Sequence, residues 1–106
     1  MRAPGKYGNK PTVLDGIRFA SKREAARHGE LRLLEKAGEI SDLQLQTRFK
    51  LDVNGIVVCT YVADFTYAEK GRKFRVVEDC KGARTPLYKL KAKLMLAVFK
   101  ITIRET

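Results

Sequence analysis

The chain has 106 residues, 44% of them hydrophobic, and its 22 Lys and Arg against 12 Asp and Glu give it a net charge of +10. This length and composition indicate one folded domain over residues 1–106 and exclude a disordered chain, while no run reaches the roughly 20 apolar residues of a membrane span. The first residues lack the apolar core of a signal peptide, so we expect a cytoplasmic protein. The charge predicts a polyanionic partner, most often nucleic acid, although a ribosome-associated protein or a merely solvated basic surface would also carry it.

The predicted elements begin with an arm and a helix. Residues 1–11, rich in Gly, Pro and Lys, predict a flexible arm, and residues 12–21 predict a short hairpin. Ser21 as N-cap and Gly38 as stop predict a first helix over 22–37. After it come strands over 41–53, 56–67 and 73–82, a second helix over 86–98 opened by Thr85 and Pro86, and a last strand over 101–106.

Packing can also be predicted for several of these elements. The strand over 56–67 is apolar at both alternating sets of positions, as in a central strand covered on two faces. Cys59 and Cys80 have no companions at metal-ligand spacing and predict free, buried thiols. The second helix should turn Leu87, Leu90, Leu94 and Val98 inward and Lys89, Lys93 and Lys100 outward.

Acidic residues lie inside the most strand-like segments. Asp64 ends a row of alternate apolar residues, and in the next strand Asp79 and Lys81 share a face while Glu78 points the other way. If the two strands pair through the turn at 69–72, Asp64 and Asp79 approach each other. Two such carboxylates are costly unless a partner or a cation compensates them, and oxygen ligands suit Mg²⁺ or Mn²⁺. This pattern favours metal-assisted phosphodiester hydrolysis, with Lys81 holding the attacking water or neutralising developing charge.

The same residues resemble the PD-(D/E)XK nuclease superfamily. Asp64 is followed 15 residues later by Asp-Cys-Lys-Gly, and a helix with an early acid precedes both. The wider string, from KYGNK and DGIRFASKREAARHGELRLLEKAGEISDLQLQTRF to YVADFTY and VVEDCKGARTPLYKLKAKL, is similar to a family of phage and prophage proteins assigned to that superfamily. The resemblance implies a restriction-endonuclease-like α-β-β-β-α-β core. The chain's own elements predict the same order within an α/β fold, in which two helices flank a mixed sheet and a short hairpin comes first.

Carried over residue by residue, the resemblance also implies a site. Asp64, Asp79 and Glu24 become metal ligands, and Lys81 becomes the lysine of the (D/E)XK element. Gln46 matches a glutamine on the first core strand of related nucleases, where it could orient water or substrate.

Some features of this assignment leave alternatives open. Ala63 stands where a proline commonly precedes the strand acid, and Glu78, directly before Asp79, competes with it as the ligand. Glu24 also completes a capping box with Ser21, which alone would explain it. Arg84, Lys89 and Lys93 are expected to contact the DNA backbone, although they could form a solvated face.

The sequence therefore predicts a Mg²⁺-dependent DNA endonuclease of phage or prophage origin, for which Mn²⁺ could substitute. The chain shows no base-reading module, which favours cutting of branched or junction DNA, as by a Holliday junction resolvase in recombination. A homodimer would place two sites on two strands. The alternative is a nucleic-acid-binding protein on the same fold without catalysis.

Overall fold

The computed structural model describes residues 12–14, 17–81 and 83–106; the predicted arm over 1–11, the turn of the first hairpin and Gly82 lie outside the described residues. Eight elements follow one another in this part of the chain. They are β1 (Thr12–Leu14), β2 (Ile17–Phe19), α1 (Lys22–Lys36), β3 (Ile40–Val53), β4 (Ile56–Glu69), β5 (Val76–Asp79), α2 (Pro86–Phe99) and β6 (Arg104–Glu105).

The main sheet has four strands in the order β3-β4-β5-β6. β3 pairs antiparallel with β4 and β4 pairs antiparallel with β5, while β6 pairs parallel to β5 after the crossover through α2. β1 and β2 form a separate antiparallel hairpin. The predicted α/β class, the element order, the mixed sheet with two flanking helices and the preceding hairpin are confirmed.

Two apolar clusters hold the helices on the sheet. Because Val76 and Val77 are neighbours in β5 yet belong to different clusters, the clusters lie on opposite faces. The cluster under α1 includes Ala25, Leu31, Phe65, Tyr67 and Val76, and the cluster under α2 includes Tyr61, Ala63, Val77, Tyr88 and Met95.

Both helices begin and end close to the predicted residues. The Ser21 hydroxyl accepts a hydrogen bond from the Glu24 N–H at 3.2 Å, and the Thr85 hydroxyl accepts one from the Tyr88 N–H at 3.1 Å. Gly38 has a φ of 81°, a left-handed conformation that glycine adopts without a steric penalty and that ends α1.

The predicted inward face of α2 is wrong in part. Leu87 and Leu90 are 59% and 51% exposed, and the helix instead buries Tyr88 and Met95 against the sheet. The helix is apolar around more than half of its circumference, so several faces compete for the core. Lys89, Lys93 and Lys100 are exposed, as predicted.

Two predictions about the strands also need correction. β5 begins at Val76 instead of residue 73, because the preceding residues form a loop after a turn in which the Arg72 N–H donates to the Glu69 carbonyl. The beginning of β4 is uncovered, with Ile56 and Val58 69% and 53% exposed, so this strand is buried on two faces only in its second half. The two cysteines are free, as predicted, but only half-buried.

The alternation of β4 changes phase at Asp64. Tyr61 and Ala63 pack in the cluster under α2, whereas Phe65 and Tyr67 pack in the cluster under α1. Residues two apart in a regular strand face the same side, so the strand is irregular between Ala63 and Phe65. This irregularity lies at the acidic residue that the sequence singles out.

Candidate active site

The pairing of β4 with β5 brings the two strand acids together. Phe65 pairs with Glu78, which makes Asp64 and Asp79 the next opposed positions. The Asp64 N–H donates to Asp79 Oδ1 at 3.2 Å, and the Cys80 N–H donates to Asp64 Oδ2 at 2.9 Å. Each carboxylate is therefore held by the backbone of the other strand.

Asp79 is also the centre of a buried polar group. Its side chain is almost fully buried, and the Tyr61 hydroxyl donates to its Oδ2 atom. Lys81 Nζ lies 3.4 Å from the same oxygen and 4.2 Å from the centroid of the Tyr88 ring, over its face. The Lys81 ammonium group is thus held between a carboxylate and the face of an aromatic ring.

The first turn of α1 contributes the third acid. Glu24 is 5% exposed, and Gln46 Nε2 donates to its Oε2 atom at 3.1 Å. Burial raises the pKa of Glu24, the Ala20 backbone opposes that rise, and the charges of Asp79 and Lys81 act on it with opposite signs. Glu24 therefore interacts electrostatically with Asp79 and Lys81. This interaction is additional to the hydrogen bond that its N–H donates to the N-cap Ser21.

Gln46 lies in a distorted part of β3. It has a φ of 54°, which is uncommon for a residue other than glycine, asparagine or aspartate. The regular pairing passes from Leu45–Phe65 to Thr47–Ala63, so Gln46 stands opposite Asp64 where β4 is also irregular. Backbone conformations of this kind cost about 1–3 kcal/mol and cluster at functional sites.

The electrostatic coupling is strongest at Asp64. The pKa of Asp64 is raised to about 7, first by burial and then by the neighbouring Asp79 and Glu24 carboxyl groups, whereas the Cys80 N–H works in the opposite direction. Near neutral pH the carboxyl group of Asp64 is therefore protonated in a large fraction of the molecules. A cation at this position would take the place of that proton.

The carboxylate pair fits a magnesium ion. Among the described residues no group of three or more His, Cys, Asp or Glu side chains is arranged to hold a metal ion. Mg²⁺ does not require one, since it is commonly bound through one or two carboxylates with water and substrate phosphate as its other ligands. Asp64 and Asp79 supply two carboxylates, and each oxygen can accept more than one partner.

A pH titration of stability would test the state of Asp64. The pKa of Asp64 is about 3.8 in the unfolded chain and about 7 in the folded protein without metal. At a pH between these two values, Asp64 is therefore protonated in the folded protein and deprotonated in the unfolded chain. This group's contribution to stability is therefore present at low pH and is lost as the pH rises through about 7. Denaturant unfolding in EDTA should show wild type losing stability relative to Asp64→Asn as the pH rises from about 5 to about 8. A difference that stays constant over this range would contradict the raised pKa.

Glu78 has a different role from Asp79. It is fully buried, and its Oε2 and Oε1 atoms accept hydrogen bonds from Arg27 Nε at 2.6 Å and Nη2 at 3.0 Å. The Tyr67 and Thr106 hydroxyls donate to it as well. Burial alone would raise the pKa of Glu78, but these hydrogen bonds outweigh it and the pKa lies below its usual value. Of the two adjacent acids, Asp79 faces Asp64 and Glu78 forms an ion pair with α1.

The residues predicted to bind DNA lie on and before α2. Lys89 and Lys93 are exposed on the helix. Arg84 is 62% exposed, but its Nε atom donates to Glu105 Oε1 at 2.8 Å, so its charge is partly neutralised. Sequence reasoning missed Tyr61 and Tyr88 as partners of the acids and Lys81; the available signal was that a buried tyrosine hydroxyl needs a partner.

Comparison with known proteins identifies a family for this fold. Residues 4–105 match the model of a family described as protein of unknown function (DUF1064). No curated protein matches the chain, and no solved structure matches it. No helix in the described part of the chain is long and apolar enough to cross a membrane. Since the match spans nearly all of its residues, the chain belongs to the DUF1064 family.

Proposed function

We propose that this protein is a Mg²⁺-dependent endonuclease that hydrolyses phosphodiester bonds in DNA. The observation that carries the proposal is the meeting of Asp64 and Asp79 across two strands, with Lys81 held 3.4 Å from Asp79. Burial and the neighbouring carboxyl groups raise the pKa of Asp64, and a group shifted by burial together with specific charged neighbours is a candidate for a functional role. The resemblance to PD-(D/E)XK nucleases assigns the same residues to catalysis.

Each group has a distinct task in such a site. Asp64 and Asp79 would hold Mg²⁺, which supplies polarisation of the phosphate and a bound water of lowered pKa. The Lys81 ammonium group, oriented by Asp79 and the Tyr88 ring, would neutralise charge that develops on the phosphate oxygens. Glu24 and Gln46 form a hydrogen-bonded pair that would position water or substrate beside the acids.

The charge and size of the protein support DNA as the substrate class. A net charge of +10 favours a polyanion, and the outward lysines of α2 lie on the element that begins beside the acids. Within the described residues the four-stranded sheet, its two helices and the β1–β2 hairpin account for the fold, without a further domain that could read bases. We therefore favour branched or junction DNA as the substrate, in the cytoplasm of a bacterial host of the phage or prophage.

The test is a cleavage assay on several DNA shapes. Labelled four-way junction, flap and linear duplex DNA would be incubated with purified protein in Mg²⁺, Mn²⁺ or EDTA. We expect metal-dependent cuts near the branch point by wild type and none by Asp64→Asn purified in the same way. Cuts on every substrate would remove the junction preference, and salt-sensitive binding without cutting in either metal would instead assign the protein to DNA binding alone.

A further inference from the structure

A cavity of about 720 Å³ lies on the α2 face of the sheet, within the range of ligand-binding pockets. Thr66 of β4 and Val77 of β5 line it, two residues along from Asp64 and Asp79 in the same strands. Two residues correspond to about 7 Å along a strand. The cavity therefore opens next to the candidate active site, but none of the candidate catalytic residues lines it.

The charged groups around the cavity are mostly cationic. Arg75 pairs with Asp42 at 2.8 Å and also donates to Thr66, and Arg104 pairs with Glu69 at 3.0 Å. Two other cations are less engaged. Arg72 lies 3.8 Å from Glu69, and Lys100 is exposed at the end of α2. The lining residues include one acid, Asp42, and four cations, Arg72, Arg75, Lys100 and Arg104. The cavity is therefore complementary to an anion.

Aromatic rings form the apolar part of the cavity. Phe74 is 72% exposed in the loop between β4 and β5, and Phe99 is 40% exposed at the end of α2. Phe49 also lines the cavity, with its ring centroid 5.8 Å from that of Phe99. The Lys73 ammonium group lies over the Phe74 ring, 5.8 Å from its centroid, and flat apolar faces beside cations are the combination that binds nucleotides of single strands.

We propose that this cavity binds an unpaired nucleotide of a single-stranded DNA segment, with the base stacked on Phe74 and the phosphates contacted by Arg72 and Lys100. The loop sequence Lys70-Gly-Arg-Lys-Phe-Arg75 supplies four cations in one turn-containing segment, which suits a continuous backbone better than a free nucleotide. The inference rests on the proposed function and deepens it. An unpaired strand beside the branch point of the DNA would occupy the cavity and continue to Asp64 and Asp79.

Binding measured without cleavage tests the cavity by itself. Fluorescence anisotropy of a labelled oligothymidine in EDTA would compare wild type with Phe74→Ala and Arg72→Gln. We expect Phe74→Ala to weaken binding about tenfold, the effect of one lost base stack. Arg72→Gln should weaken it severalfold at low salt and less at high salt.

Matched controls exist on α1. Arg32 is 48% exposed and lies 3.9 Å from Glu35, much as Arg72 is 52% exposed and lies 3.8 Å from Glu69. The exposed fraction of Leu33, 68%, is similar to the 72% of Phe74. Arg32→Gln and Leu33→Ala should each change binding by less than about twofold.

An oligonucleotide that lacks its bases separates stacking from charge. On this ligand Phe74→Ala should bind as wild type does, while Arg72→Gln should still bind more weakly. Wild-type binding of oligothymidine by Phe74→Ala, or an equal loss on both ligands, would overturn the proposal. Because the assay contains no divalent metal, these outcomes do not depend on whether the protein cuts DNA, and a failure to cut would count against the proposed function alone.

Discussion

Replacing Arg27 with methionine is expected to lower the free energy of unfolding by about 3–5 kcal/mol, because it leaves a fully buried carboxylate without its counter-ion. Glu78 has no exposed surface, and the two Arg27 nitrogens are its cationic partners in the described structure. The pKa of Glu78, held below its usual value in the native protein, should rise in the variant. Denaturant unfolding with an unchanged m value would measure the loss.

Two further variants make this result specific. Arg32→Met removes a half-exposed arginine 3.9 Å from Glu35 on the same helix and should cost about 0–1 kcal/mol. Arg27→Met combined with Glu78→Gln should recover part of the loss, since neither charge is then buried alone. Equal destabilisation by Arg27→Met and Arg32→Met would show that the ion pair contributes no more than a surface contact.

If the proposed function is correct, replacing Asp79 with asparagine should reduce metal-dependent cleavage about a thousandfold, because loss of the proposed metal ligand removes several kcal/mol of charge stabilisation. Asparagine keeps the size of the side chain: its Oδ1 atom can still accept from the Asp64 N–H, and its Nδ2 atom can donate to the Tyr61 hydroxyl, which accepts as well as donates. The fold should therefore survive, which circular dichroism and the unfolding midpoint would verify. Single-turnover cleavage of the preferred DNA substrate over a range of Mg²⁺ concentrations is the measurement.

Tyr61→Phe provides a graded comparison for the same carboxylate. It removes the hydroxyl that donates to Asp79 Oδ2 but leaves the acid in place. Loss of a hydrogen bond to a metal ligand typically costs about 10–100-fold in metal affinity or activity, so the variant should need more Mg²⁺ to reach its maximal rate. If Asp79→Asn cleaved as fast as wild type, Asp79 would not be a ligand and the proposed site would be wrong.

Much of the site could be predicted from the alternation of two strands. A turn after Glu69 joins β4 to β5, and the two acids lie at positions that such a hairpin brings together. The opposite direction of Glu78 follows from the same rule. Its partner Arg27 does not, since contacts between a helix and a distant strand depend on how the helix is placed on the sheet.

Other parts of the site depend on irregular backbone, which the sequence does not signal. Regular alternation would place Tyr61 and Asp64 on opposite faces of β4. Because the alternation changes phase at Asp64, the Tyr61 hydroxyl lies on the same side of the sheet as Asp79 and donates to it. Gln46 adopts a left-handed conformation that glutamine does not favour. The orientation of α2 could not be predicted either, because Leu87 and Leu90 are as apolar as the residues of this helix that pack on the sheet.

The distortion of β3 also bears on how the protein behaves at high concentration. β3 is an edge of the four-stranded sheet, and a long, regular edge of this kind would offer a template for another chain to add a strand. Left-handed residues at Asp42 and Gln46, together with register shifts on either side of the run from Gln44 to Leu51, divide the edge into short segments. Backbone irregularity that helps to shape the candidate site would therefore also protect the protein from edge-to-edge aggregation.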